Sequence, residues 1–217
     1  EALALARSFW PGPLTMIFPK TGEVPYETTG GLDSVAVRMP DHPVALALIR
    51  AAGGYVAAPS ANCSGRPSPT MAAHVAEDLE GKIDMIIDGG MVGIGLESTI
   101  VDLTERTPVI LRPGAVSREM LRAHLERVDI DPGLSGEDDS RPPKAPGMRY
   151  RHYAPRAPLV IVEGAEAEVA AYVNALARDA EKGGQRAGIL ASDETAGAYE
   201  TGLVKSIGSR ASEGDIA

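Results

Sequence analysis

Residues 57–70 read Ala-Ala-Pro-Ser-Ala-Asn-Cys-Ser-Gly-Arg-Pro-Ser-Pro-Thr, a short stretch dense in hydrogen-bonding side chains. Ser60, Ser64 and Ser68 recur along it, with Asn62 and Arg66 between them. The prolines fix φ and withhold backbone donors, so the loop is stiff. Hydroxyls and an amide on a stiff loop suit the binding of a polyanion. The same composition also serves a connection that merely turns the chain, and the loop alone does not separate the two.

The loop needs elements to hold it. An apolar run at 55–58 reads as a strand leading in. Thr70 reads as the N-cap of a helix over 71–79. Upstream, residues 2–9 read as the end of a helix stopped by Trp10-Pro11-Gly12-Pro13, and 14–19 as a strand. Ser34-Val35-Ala36-Val37-Arg38-Met39 alternates as a strand does, which puts Ser34, Ala36 and Arg38 on one face. By itself Arg38 reads as a solvated edge charge. Asp41 and Pro43 open a helix over 44–52. Downstream come a short buried strand at 85–88, a glycine-rich turn, a strand from 97 to 102 pairing with 108–112, and a helix over 118–125 capped by Ser117.

Beyond residue 129 the composition shifts to Pro, Gly, Asp, Ser and Arg. This predicts a linker over 129–158 between a domain at 1–128 and a second one at 159–217. Tyr150 and Tyr153 lie there among cations, as a segment lying over a ligand would have them. Residues 159–162, 166–181 and 187–191 read as strand, helix and strand, predicting a parallel pair with a right-handed crossover. The fold class is α/β.

Over 217 residues, 44% hydrophobic and 24% charged content describe a globular protein whose 4% aromatics leave the core to aliphatic side chains. No apolar run is long enough to cross a membrane, and no signal-peptide pattern is seen. The single cysteine, Cys63, excludes an internal disulfide and fits a reducing cytoplasm. It reads as a small packed side chain. His42, His74, His124 and His152 show no metal-ligand spacing with it. A net charge of −9 argues against a broad nucleic-acid-binding surface.

The loop, Ala-Pro-Ser-Ala-Asn-x-Ser-Gly-x-Pro-Ser-Pro-Thr, resembles the signature of the YrdC-type threonylcarbamoyl-AMP synthase family. Four further stretches resemble it in family order: Phe9-Trp10-Pro11-Gly12-Pro13-Leu14-Thr15, Val35 to Pro40, Glu97-Ser98-Thr99 with Leu111-Arg112-Pro113-Gly114, and Ala145 to Pro155. The last is similar to the linker of two-domain members. The resemblance implies a twisted mixed sheet with flanking helices, followed by a smaller Rossmann-like domain. It implies an enzyme that makes threonylcarbamoyl-AMP and pyrophosphate from L-threonine, bicarbonate and ATP, with Mg2+ accompanying the ATP. A transferase complex acting on tRNA would consume the product. Carried over by residue, Ser60 and Asn62 match the family's catalytic Ser-x-Asn pair. Ser34, Ser60, Ser68, Arg112 and Tyr150 match ATP contacts, and Arg38, Ala58 and Ser98 match the L-threonine pocket. Within that reading Arg38 pairs with the amino-acid carboxylate, and 145–155 closes as a lid.

The family's Pro-Thr-Glu-Thr segment and Lys-x-Arg pair would precede residue 1. Residues 1–217 are therefore expected to be truncated at both ends, inactive alone and poorly soluble. Two other readings remain open: a carbamoyl-adenylate-forming maturation module, and a non-enzymatic RNA-binding module.

Overall fold

The computed structural model describes residues 1–135 and 157–212 and divides into two compact units, Glu1–Pro155 and Arg156–Ala217. The first is built on a five-stranded mixed sheet in the order β2-β1-β3-β4-β5. Its strands are β1 (Leu14–Pro19), β2 (Ser34–Val37), β3 (Thr99–Asp102), β4 (Val109–Arg112) and β5 (Asp129–Ile130). β1 runs antiparallel to β2 and parallel to β3, β3 antiparallel to β4, and β4 parallel to β5.

Alternation decides what each face does. Leu14 and Met16 of β1, Val101 of β3 and Ile110 of β4 point to one side. There they pack on Leu5 of α1 (Ala2–Phe9) and on Val116, Leu121, Leu125 and Val128 in and around α5 (Arg118–Arg122). Each fully buried side chain of this size stabilises the fold by about 1.5–3 kcal/mol. The other side carries only Ile17, Ile100 and Leu111, with Val109 against them. The larger core thus lies on one face, and the other holds a smaller buried cluster with polar side chains beside it.

Between β1 and β3 the chain forms α2 (Tyr26–Thr29), α3 (Pro43–Ala51) and α4 (Ala72–Leu79). Helix α3 is capped at His42 rather than Asp41, with Pro43 in the first turn as expected, and α4 at Met71 rather than Thr70; neither cap makes a side-chain bond. Thr70 instead lies against His74, its N–H 3.3 Å from Nδ1. Ser117 does cap α5, accepting from the Met120 N–H at 3.3 Å.

The expected strands at 55–58 and 85–88 do not form. An apolar run becomes a strand only where a neighbour pairs with its backbone groups, and neither run joins the ladder. Their side chains face solvent: Tyr55 is 86% exposed and Met85 74%. Asp129 and Ile130, where the linker was expected to begin, are the last strand of the sheet; the Asp129 N–H donates to the Pro108 carbonyl and the Asp131 N–H to the Ile110 carbonyl. A 3-10 turn (Pro132–Ser135) follows.

The second unit packs α6 (Glu166–Lys182) on a parallel pair, β6 (Gly188–Ala191) and β7 (Leu203–Ser206), joined through α7 (Asp193–Ala196). Ala177, Ile189 and Ala191 form its core. The predicted pairing of 159–162 with β6 is not made. β6 takes β7 as its neighbour, and Leu159, Val160 and Ile161 are exposed.

Candidate active site

The polar face of the first sheet collects four side chains from four different segments. Thr15 follows Leu14 and so points away from the core. Met16 pairs with Val37 in the β1–β2 register, and one further step sets Arg38 opposite Thr15. Ser98 precedes β3 on the face of Ile100 and is 5% exposed, with its hydroxyl 2.7 Å from that of Thr15.

Arg112 reaches this face by a register shift. Val101 pairs with Ile110 and Ile100 with Arg112, so residue 111 is extra on β4. Such a bulge turns the next side chain to the side it would otherwise miss. Strict alternation would have put Arg112 with Ile110 in the core. The bulge brings it to Ser98 instead, with Nε donating to the carbonyl at 3.0 Å and Nη2 to the hydroxyl at 3.1 Å.

Two glycines make these placements possible. The Gly12 carbonyl accepts from Arg38 Nε at 3.0 Å, and its N–H donates to the Met39 carbonyl. A Cβ at Gly12 would stand 2.4 Å from the Phe9 carbonyl oxygen, so the turn after α1 closes only without one. A Cβ at Gly114 would stand 2.4 Å from the Glu97 carbonyl oxygen. Beside it, buried Thr99 donates to the Val116 carbonyl at 2.8 Å and accepts the Val116 N–H. The segment after Arg112 is thereby locked to the segment carrying Ser98.

Both guanidiniums keep donors to spare, and among the described residues neither forms an ion pair with a carboxylate. Arg38 is exposed as a residue, yet partial burial of its guanidinium lowers its pKa below the ordinary arginine value. The charge of Arg112 lowers it further, and Asp41 acts the other way. Two like charges held this close attract an anion, which relieves their repulsion.

The 57–70 loop is organised separately, around one carboxylate. Asp78, 7% exposed, is the buried residue of α4. It accepts the Cys63 N–H at 3.1 Å and pairs with Arg66, which also meets Glu77 at 2.9 Å. Cys63 is half-buried; its thiol donates to the Asp78 carbonyl at 3.3 Å, and Lys82 stands 3.4 Å from the sulfur. Asn62 turns inward: its Nδ2 donates to the carbonyls of Cys63 and Arg66, and among the described residues its buried Oδ1 has no hydrogen-bond partner.

The structure therefore brings Arg38, Ser98 and Arg112 onto one face, with Ser34 on that face of β2. Ala58 and Ser60 are exposed and Ser68 is half-buried. Among the described residues no hydrogen bond or ion pair joins the loop to Arg38, Ser98 or Arg112. Tyr150 and the expected lid at 145–155 lie outside the described residues. Sequence reading missed Thr15 and Asp78. Thr15 ends the Phe9-Trp10-Pro11-Gly12-Pro13-Leu14-Thr15 motif; Asp78, on an otherwise ordinary amphipathic helix, gave no signal.

Among the described residues no three His, Cys, Asp or Glu side chains are grouped to hold a metal ion. No helix there is long and apolar enough to cross a membrane.

A family model for Sua5/YciO/YrdC proteins, described as "Telomere recombination", matches residues 1–114. A second, described as "Threonylcarbamoyl-AMP synthase, C-terminal domain", matches residues 116–217. A Bacillus subtilis protein named threonylcarbamoyl-AMP synthase is 49% identical over 97% of this chain and 60% of its own length. One of the same name from Pyrococcus abyssi is 47% identical over 98% of this chain and 61% of its own. A crystal structure of P. abyssi Sua5 complexed with L-threonine is similar at a TM-score of 0.87 and 46% identity, covering 99% of this chain and 61% of that one. The chain thus spans about 60% of the length of these relatives. With its first half matched in full by one model and its polar sheet face built from that half, the chain belongs to the Sua5/YciO/YrdC family.

Proposed function

We propose that this chain carries part of an L-threonylcarbamoyladenylate synthase. The carrying observation is the sheet face on which Arg38, Arg112 and Ser98 converge, two guanidiniums that form no ion pair with a carboxylate among the described residues, beside a buried hydroxyl. Such a face matches a substrate with a carboxylate and a neighbouring phosphate. Arg38 takes the threonine carboxylate, Ser98 and the backbone of Ala58 complete that pocket, and Arg112 faces the nucleotide. Ser34, Ser60, Ser68 and Tyr150 are assigned to ATP as well. Ser60 and Asn62 are the catalytic pair of this reading, and Asn62 also shapes the loop, its Nδ2 donating to the carbonyls of Cys63 and Arg66.

In the reaction, the threonine amine captures carbon dioxide from bicarbonate as a carbamate, with loss of water. A carbamate oxygen then attacks the α-phosphorus, and the bond to the β-phosphate oxygen breaks to release pyrophosphate. This chain's residues supply placement and charge neutralisation, the main needs of such a displacement. Mg2+ is assigned to the phosphates and arrives with ATP. The product would pass in the cytoplasm to a transferase acting on tRNA adenosine beside the anticodon.

The test is pyrophosphate release by the full-length protein. The reading predicts that omitting any one of threonine, bicarbonate and ATP abolishes release. Release that ignores threonine would favour the carbamoyl-adenylate reading. A net charge of −9 gives no support to an RNA-binding module.

A further inference from the structure

Thr15 lies on the polar face between Arg38 and Ser98, and the threonine reading above assigns it no task. Its hydroxyl meets Ser98 Oγ at 2.7 Å and has no other hydrogen bond among the described residues. Ser98 Oγ also receives Arg112 Nη2 at 3.1 Å. A guanidinium only donates, so one lone pair of the Ser98 oxygen is already used.

Two arrangements of the Thr15–Ser98 bond remain, and they offer a ligand opposite groups. If Ser98 donates to Thr15, the Ser98 proton is consumed and the Thr15 proton is left without an acceptor. A ligand oxygen placed at Ser98 would then meet a lone pair, which repels a carboxylate, and the one hydroxyl proton on offer would be that of Thr15. If Thr15 donates to Ser98, both Ser98 lone pairs are filled and its single proton is free. All groups offered to the ligand by Arg38, Arg112 and Ser98 are then donors. A site already cationic and holding an anionic ligand selects this second arrangement.

We propose that Thr15 is a positioning residue that fixes Ser98 as a hydrogen-bond donor toward an oxygen of the amino-acid substrate. It acts through Ser98 and does not itself touch the substrate. The inference rests on the threonine reading, and the experiment separates the two.

Threonine and an ATP analogue are titrated separately into the full-length protein, and steady-state kinetics are run on the same samples. Thr15→Val keeps the shape of the side chain and removes the hydroxyl. It is expected to weaken threonine binding by about three- to tenfold, the range of one neutral hydrogen bond, with ATP-analogue affinity changed less than about twofold. The loss should appear in the KM for threonine rather than for ATP, and Thr15→Ser should restore it. In a Ser98→Ala background Thr15→Val should cost nothing further, because its only route of action is gone. Thr15→Ala serves the same comparison should the valine variant fold poorly. Unchanged threonine affinity in Thr15→Val or Thr15→Ala overturns the inference, as does an equal loss for both ligands or full additivity with Ser98→Ala. Failure of the unsubstituted protein to bind threonine at all overturns the underlying reading instead.

Discussion

Arg112 spends two of its donors on one residue, Nε on the Ser98 carbonyl at 3.0 Å and Nη2 on the Ser98 hydroxyl at 3.1 Å. The pair spans two antiparallel strands and exists only because β4 carries an extra residue opposite Ile100. An ammonium cannot reproduce that planar fork. Arg112→Lys should therefore keep the charge and lose the geometry. It should weaken threonine, through Ser98, and ATP, directly, each by about 1–3 kcal/mol in calorimetric titration. A lysine variant that binds both ligands as before would show that charge alone is needed.

Arg38 has a different dependence. Its Nε is anchored on the Gly12 carbonyl and its terminal donors remain for a ligand. Removing it with Arg38→Ala should weaken threonine by about 1.5–3 kcal/mol, the range for a charge-assisted bond, and leave ATP nearly unchanged. Equal losses for the two ligands would sink the carboxylate assignment.

Asp78 anchors the 57–70 loop from α4, through the Cys63 N–H and Arg66. Asp78→Ala leaves the Cys63 N–H without its acceptor and Arg66 with Glu77 alone, at a cost of about 1–3 kcal/mol. Urea unfolding should report that loss, and limited proteolysis should cut faster between 60 and 70. Proteolysis unchanged at the loop would mean its conformation is set by the prolines alone.

In the second unit, Glu194 is pulled down to about 2 from an ordinary 4.5, first by the Ser209 hydroxyl, then by its own backbone N–H, by Ser192 and by the Arg210 N–H. A depressed carboxylate stabilises the fold above its unfolded pKa. That contribution fades as pH falls from about 4.5 toward about 2. A carboxyl NMR titration should find the low midpoint, and Ser209→Ala should move it upward. A midpoint near 4.5 in the unsubstituted protein would refute the contact.

Much of this was legible in the sequence, for physical reasons that differ by element. β2 declares itself by the alternation of Val35 and Val37 with Ser34, Ala36 and Arg38, and β1 by the apolar run that follows Trp10-Pro11-Gly12-Pro13. Trp10-Pro11-Gly12-Pro13 marks the end of α1, and the structure adds what the glycine is for: its carbonyl holds Arg38. The runs at 55–58 and 85–88 look like strands because composition reports apolarity, whereas a strand also needs a partner, which composition does not report. The bulge before Arg112 is likewise invisible to a period-two reading. Asp78 was missed because a buried acid on a helix reads as an ordinary polar position until its partners, fifteen and twelve residues earlier in the chain at Cys63 and Arg66, are seen around it.

The most direct test of the central claim is a crystal structure of the full-length protein with L-threonine and a non-hydrolysable ATP analogue. The account predicts the threonine carboxylate within hydrogen-bonding distance of the Arg38 guanidinium, with Ser98 Oγ donating to an oxygen of the same molecule and the α-phosphate on the Arg112 side. Threonine bound elsewhere, with Arg38 and Ser98 facing only water, would contradict it.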